Sequence, residues 1–307
     1  MEFNVYFCIL SACCVILAAA VVLLVLMLKR SKEKTRTVLE AEENFILTPE
    51  GKALLCDIEN GLEKGEFKMY LQFIVDNKTK RITSAEALSR WEREDGELVP
   101  PGKYISAMEK AGIITKLDYY MFEKACKKLS EWNDGEFGDI SISCNFTRST
   151  ISESDFRTKL KDITDRYSFD REKLVIEITE DSIEKNLDSA IGNILWAKEL
   201  GYGIALDDIG SGYTSLVNLC EYPIDIVKID RKILLKTNEE RGKKLFLGII
   251  SLSHYLSLKV VCEGVETEEQ NSLVFESDCD FIQGWYYSKG LPEEQAEEFA
   301  REYAKNF

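Results

Sequence analysis

Two absences narrow the chemistry that this chain can perform. Its 307 residues contain a single histidine, His254, and none of its nine cysteines forms a C-x-x-C pair. Because zinc sites are built from clustered Cys and His ligands, a zinc site of that kind is not expected. The scattered cysteines are interpreted as reduced thiols of a cytosolic domain, and His254, which lies in a helical stretch, as a structural or surface residue.

The chain also lacks an excess of basic residues. Its 54 acidic residues outnumber its 39 Lys and Arg residues, which gives a net charge of −15. Binding of long nucleic acids requires a broad basic face, so a partner of this class is not expected. A small ligand that carries phosphate remains compatible with this charge, because bound cations can reverse the local potential.

Charge is absent altogether from residues 5–28. At about 1.5 Å per residue, a helix of this length spans the hydrocarbon core of a bilayer, about 30 Å thick, with some tilt. The only charged side chain before this run is that of Glu2, and five basic residues follow it: Lys29, Arg30, Lys32, Lys34 and Arg36. The positive-inside rule therefore places the C-terminal portion in the cytoplasm. The length of the run favours a retained signal anchor over a cleaved signal peptide.

These features predict three segments. They are a transmembrane signal anchor at 1–28, a juxtamembrane linker at 29–49 and a folded domain at 50–307. The chain is thus expected to be a single-pass protein of the cytoplasmic (inner) membrane, with its folded domain in the cytoplasm. The third segment is long enough for one barrel of about 250 residues.

Short apolar runs alternate with helical stretches through the third segment, which is typical of parallel strands in an α/β fold. Helices are predicted to begin at Pro49 and at Pro101, and the second of them to end at Gly112. The runs MYLQFIV and RITSAEALSRW are predicted to form two strands joined by the turn DNKTK.

Eight polar residues lie at or just past the ends of these apolar runs. They are Glu86, Asn145, Glu177, Asp207, Asp208, Lys228, Glu263 and Gln283. If the sheet closes into a barrel, the carboxyl ends of its strands converge on one mouth. The carboxylates brought together there would repel one another unless cations neutralised them. The pattern therefore predicts a metal site, and a two-metal site in particular, with hard oxygen ligands that suit Mg²⁺ or Mn²⁺.

The motifs around these residues, in their order along the chain, resemble the signature of the EAL domain family. They are SAEALSRW, the Asn of CNFT, EITE, DDIGSGYTSL, the Lys of VKID, EGVE and QGWYYSKGLP. The resemblance implies a modified TIM-like (β/α)8 barrel with one antiparallel strand, and an enzyme that hydrolyses cyclic-di-GMP to linear pGpG. One alternative is a cyclic-di-GMP receptor without hydrolytic activity that signals to a protein partner. A barrel hydrolase for another phosphodiester also remains open.

The resemblance further implies two divalent cations, Mg²⁺ or Mn²⁺. Glu86, Asn145, Glu177 and Asp207 would hold the first cation, and Asp207 would bridge to a second that is shared with Asp208 and Glu263. Lys228 is expected to position the attacking water and Glu263 to act as general base, with Glu86 the essential carboxylate of the EAL motif. Arg90, Gln72 and Gln283 are expected to contact the substrate.

The loop DDIGSGYTS is expected to couple self-association to the metal site. By resemblance, Glu180 would hold this loop in place, and Gly210 and Gly212 would make it flexible. The family resemblance implies a homodimer formed near the loop, whereas nothing in the residues identifies another protein partner. Departures from the family pattern, such as Phe73 in place of Pro and Ile209 in place of Phe, remove none of the predicted ligands.

Overall fold

The computed structural model describes residues 47–179, 187–210 and 218–305. The chain divides after Ile58 into two units, and the second, which begins at Glu59, contains the whole β-sheet. The predicted membrane anchor lies outside the described residues. Within the described ranges, no helix combines the length and the apolar character needed to cross a bilayer.

Ten strands in the described ranges form a single sheet. They are β1 Phe67–Asp76, β2 Ile82–Glu92, β3 Leu98–Val99, β4 Ser141–Phe146, β5 Leu174–Thr179, β6 Gly203–Ile209, β7 Ile226–Ile229, β8 Lys259–Cys262, β9 Phe281–Gln283 and β10 Leu291–Pro292. Eight of them close into a barrel in the order β1-β2-β4-β5-β6-β7-β8-β9, with β9 paired to β1. Strand β1 is antiparallel to both of its barrel neighbours, and the other barrel pairings are parallel. The predicted barrel with one antiparallel strand is therefore confirmed.

Helices connect the strands in the alternating order that the apolar pattern predicted. They are α1 Pro49–Lys64, α2 Pro101–Ala111, α3 Ile114–Trp132, α4 Arg148–Ile151, α5 Phe156–Thr164, α6 Leu187–Glu199, α7 Asn218–Glu221, α8 Arg231–Leu235, α9 Glu240–Tyr255, α10 Glu268–Glu276 and α11 Glu293–Ala304. The helix starts predicted at Pro49 and Pro101 are both confirmed. Gly112 ends α2 in the left-handed conformation, at φ 70°, and its N–H donates to the carbonyl of Glu109.

The strand register brings polar side chains to the carboxyl end of the barrel. Asn145 on β4 pairs with Glu177 on β5, and Thr179 pairs with Asp207 on β6. Because side chains alternate between the two faces of a strand, these ligand candidates share the inner face. On the outer face of β4, Phe146 packs edge-on against Phe122 of α3, with the ring centroids 5.5 Å apart. The barrel therefore presents a polar interior at its mouth and an apolar exterior to the helices.

The single histidine lies at the opposite end of the barrel from this mouth. His254 Nε2 is 2.7 Å from a carboxylate oxygen of Asp280, which precedes β9, and the other oxygen accepts from Lys259 Nζ at 2.8 Å. This arrangement ties helix α9 to the amino-terminal ends of two strands, as a structural role requires. The cysteines in the described ranges are free thiols.

Candidate active site

Lys228, on β7, lies at the centre of a carboxylate cluster at the barrel mouth. Its ammonium Nζ is 2.8 Å from an oxygen of Glu177, 2.8 Å from one of Glu263, 3.1 Å from one of Glu86 and 3.7 Å from one of Asp207. The Lys228 side chain is only 1% exposed. One ammonium among four carboxylates leaves the cluster with a net negative charge if all of them are ionised.

The pKa values of the carboxyl groups respond to this crowding. Burial raises the pKa of Glu263 to about 8, and burial together with neighbouring carboxylates raises that of Asp208 to about 6. Burial also raises the pKa of Glu177 well above its ordinary value. Burial acts in the same direction on Glu86, but Lys228 and two amide donors outweigh it and lower the pKa of that group. Additional positive charge at the site would relieve the repulsion that these shifts report.

Two amide side chains orient the carboxylate of Glu86. Asn145 Nδ2 donates to one of its oxygens at 2.8 Å, and Gln283 Nε2 donates to the other at 2.6 Å. Gln283 Nε2 is also 3.3 Å from the Oε1 of Gln72, whose own Nε2 donates to the carbonyl of Ser288 at 3.0 Å. Within the described part of the chain, the buried Oε1 of Gln283 has no hydrogen-bond partner. The amides therefore hold the EAL carboxylate in place and leave an acceptor inside the site.

Asp207, Asp208 and Glu263 form a second group of potential ligands. Each offers a carboxylate oxygen, and these oxygens all lie within 4.8 Å of one another. Successive side chains of a regular strand point to opposite faces, so adjacent Asp207 and Asp208 require a local distortion. Asp208 provides it with a left-handed backbone, at φ 63°, where the pairing of β6 with β7 is also irregular. The donor set, made of oxygens alone, fits Mg²⁺ or Mn²⁺.

The mouth also contains residues that the strand-end pattern did not single out. A cavity of about 390 Å³ is lined by the predicted Glu86, Asp207 and Glu263, and also by Asp230, Arg231, Glu266, Gly284 and Trp285. The Asp230 carboxyl contacts Asp208 and contributes to its raised pKa. Arg231 forms an ion pair with Glu266. Asp230 ends the VKID motif and Glu266 ends EGVE, so the same strand-end criterion could have found both.

Arg90 is not among the residues that line this cavity. It lies four residues beyond Glu86 on β2, about 13 Å along the strand. Its Nη1 donates to the carbonyl of Ser89 at 2.7 Å, and its guanidinium carbon lies 5.7 Å from the ring centroid of Tyr70. The predicted contact of Arg90 with a substrate phosphate stays a prediction.

Of the three residues predicted to support the loop, the structure describes only Gly210. Its φ is 97°, and a Cβ at this position would lie 2.4 Å from Cγ1 of Ile233. Both the backbone conformation and the close approach therefore require glycine here. Glu180 and Gly212 lie outside the described residues, so their predicted roles in the loop stay predictions.

The fold and the mouth together define a barrel protein with an acidic centre suited to divalent cations. The sequence model of the EAL domain matches residues 55–290, which is more than half of the chain. The chain belongs to the EAL domain family, and the resemblance found in its motifs is confirmed.

This chain matches one part of two longer proteins. The signaling protein YkoW of Bacillus subtilis is 33% identical over 244 residues, which cover 79% of this chain and 30% of YkoW. The bifunctional diguanylate cyclase/cyclic di-GMP phosphodiesterase MucR of Pseudomonas aeruginosa is 29% identical over 243 residues, which cover 79% of this chain and 36% of MucR. The chain therefore spans about a third of the length of these relatives.

Solved structures share the fold over most of the described barrel. The PaMucR phosphodiesterase in complex with c-di-GMP has a TM-score of 0.75 at 28% identity, covering 80% of this chain and 99% of that one. An EAL domain protein from Listeria monocytogenes has a TM-score of 0.71 at 30% identity, covering 78% and 95% of the two chains.

Proposed function

We propose that this chain is a metal-dependent phosphodiesterase that hydrolyses cyclic-di-GMP to linear pGpG. The observation that carries the proposal is the full set of five carboxylates and two amides at the barrel mouth, where four of the carboxylates lie within 3.7 Å of the buried Lys228 ammonium. Members of the family that serve only as receptors typically lose ligand carboxylates, whereas this chain retains all of them. A relative named as a bifunctional diguanylate cyclase/cyclic di-GMP phosphodiesterase and a similar structure solved with c-di-GMP support the choice of substrate.

The ligands for two divalent cations are those named above. Glu86, Asn145, Glu177 and Asp207 would hold one cation, and Asp207, Asp208 and Glu263 the other. When bound, Mg²⁺ or Mn²⁺ supplies activation of a water and neutralisation of charge at phosphorus.

The protein's own groups orient the reactants and move the proton. The Lys228 ammonium offsets the repulsion among the surrounding carboxylates, and it would donate to the attacking water or to a phosphate oxygen in place of one of them. Glu263, whose carboxylate lies 2.8 Å from the Lys228 ammonium, would accept the proton of the attacking water as the general base. Gln283 and Asn145 keep Glu86 in position, and Arg90 would bind a substrate phosphate.

Nucleotide chromatography tests this proposal directly. The full chain, purified in detergent, is incubated with cyclic-di-GMP and Mg²⁺, and the products are separated. Appearance of pGpG in the wild type, but not in Glu86→Ala, is expected. Binding of cyclic-di-GMP without turnover would establish the receptor alternative, and cleavage of other phosphodiesters only would establish a different hydrolase.

We also propose that residues 5–28 anchor the chain in the cytoplasmic membrane with the barrel inside the cell. The charge-free run and the basic residues after it support this orientation. A fluorescent protein fused to the C-terminus should fluoresce, and an alkaline phosphatase fused there should show no enzyme activity. The opposite pair of results would refute the orientation.

Self-association is the remaining part of the proposal. We propose a homodimer formed near the loop that begins at Asp207, and confinement to a membrane would raise the effective concentration of the protomers. Sedimentation of the purified chain should give a dimer. A fully active monomer at the assay concentration would refute the coupling of dimerisation to activity.

A further inference from the structure

Asp118, on α3, is a buried carboxylate that the proposed reaction does not use. It is 6% exposed. One of its oxygens accepts three hydrogen bonds: from the backbone N–H of Thr147 at 2.8 Å, from Thr147 Oγ1 at 2.7 Å and from Thr150 Oγ1 at 2.6 Å. All three donors belong to the segment that directly follows Asn145.

Burying this carboxylate costs free energy of folding, so a contribution to stability does not by itself explain it. Burial raises the pKa of Asp118 to about 6 even though the three hydrogen bonds lower it. In the described part of the chain, no cation pairs with this carboxylate. An apolar side chain of similar volume would avoid the cost of burying a carboxylate. The carboxylate adds directional hydrogen bonds that fix the orientation of this segment, because three donors converge on one oxygen.

The hydrogen bonds fix the end of the strand that carries Asn145. Thr147 is the residue between β4 and α4, and it is two residues beyond Asn145. Phe146, between them, packs on the other side against Phe122 of α3 and Phe156 of α5. The backbone after Asn145 is therefore held by packing at one residue and by a carboxylate at the next. The Asn145 amide can then meet Glu86 at 2.8 Å.

We propose that Asp118 is a positioning residue that sets the orientation of the Asn145 amide from the outer helical layer. The effect on a cation rests on the proposed function, because it requires Asn145 to be a ligand. The orientation of the Asn145 amide does not depend on that assignment.

Two measurements on the full chain separate these claims. The first is the side-chain amide signal of Asn145 in metal-free protein labelled with ¹⁵N-asparagine, assigned by its loss in Asn145→Ser. The second is the Mn²⁺ dissociation constant, measured by electron paramagnetic resonance. Asp118→Ala removes the acceptor, and it should shift or broaden the amide signal and weaken Mn²⁺ binding about tenfold, as loss of a supporting hydrogen bond does at other metal sites.

The chain offers matched controls. Thr150→Val removes one donor with little change of shape and should move both readouts in the same direction, whereas Thr150→Ser keeps the hydroxyl and should leave both unchanged. Asp280→Ala removes another carboxylate that accepts three hydrogen bonds, at the far end of the barrel, and should change neither readout. If Asp118→Ala fails to fold, as judged by circular dichroism, the two Thr150 variants decide the question.

The outcomes are distinguishable. An unchanged Asn145 signal in Asp118→Ala overturns the inference, whatever happens to stability. If that variant does not fold, an unchanged signal in Thr150→Val overturns it. A shifted signal in a protein whose wild type binds no Mn²⁺ overturns the metal-dependent function but leaves the positioning of Asn145 established. A shifted signal with weakened Mn²⁺ binding supports both.

Discussion

Replacing Lys228 with methionine removes the ammonium from the barrel mouth while keeping a side chain of similar length. In the wild type this group lies within 3.1 Å of oxygens from Glu86, Glu177 and Glu263. Removing one partner of a buried ion pair typically costs about 3–5 kcal/mol, because the other charge stays buried and unpaired. At about 2–4 °C per kcal/mol for a domain of this size, the melting temperature should fall by about 6–20 °C near pH 8.

The loss of stability should depend on pH in a defined direction. A carboxyl group whose pKa is raised in the folded state stabilises the fold at low pH and loses that contribution as the pH rises through the raised value. For Glu263 this window lies between its ordinary value of 4.5 and about 8, and the loss of Lys228 should widen it. The variant should therefore approach the stability of the wild type as the pH falls towards about 5, where the cluster takes up protons.

Urea denaturation across this pH range, with and without Mg²⁺, measures both effects. Lys259→Met is the matched control, since that lysine pairs with Asp280 at a site where its side chain is 63% exposed and should cost less than about 1 kcal/mol. Under the proposed function, Mg²⁺ should stabilise Lys228→Met more than the wild type, because the variant has lost its internal cation. Equal stability of Lys228→Met and wild type near pH 8 would refute this account of the cluster.

Four further predictions concern activity. Glu86→Ala should abolish turnover and leave the circular dichroism spectrum unchanged, since residues at the carboxyl ends of barrel strands serve function more than stability; near-normal product formation would show that this carboxylate is no ligand. Hydrolysis should require Mg²⁺ or Mn²⁺ and be suppressed by Ca²⁺, which accepts the same oxygens with looser geometry; full turnover after chelation would contradict this. The Mg²⁺ concentration for half-maximal rate should fall as the pH rises from about 6 to about 8, because Asp208 and Glu263 must lose protons to bind a cation; a constant or rising value would exclude these groups as ligands. Gly212→Pro should lower activity together with the dimer fraction in sedimentation, and loss of activity in an intact dimer would separate the two.

The sequence by itself determined the architecture and most of the candidate ligands. Apolar runs of strand length, separated by helical stretches, indicate a parallel α/β fold because hydrophobic periodicity is a local property of the chain. Parallel strands end at the same edge, so the position of Glu177 or Lys228 at the end of such a run already indicated the barrel mouth. Asp230 and Glu266 satisfy the same criterion and could have been predicted.

Only the tertiary structure decided how these groups meet. The four carboxylates around Lys228 come from strands that are up to 177 residues apart in sequence, from Glu86 to Glu263, and their distances follow from barrel closure and register. The left-handed turn at Asp208 depends on an irregular pairing between β6 and β7, which no local pattern encodes. The hydrogen bonds of Asp118 depend on how α3 packs beside β4. Such contacts form between segments that are distant in sequence, so local periodicity cannot specify them.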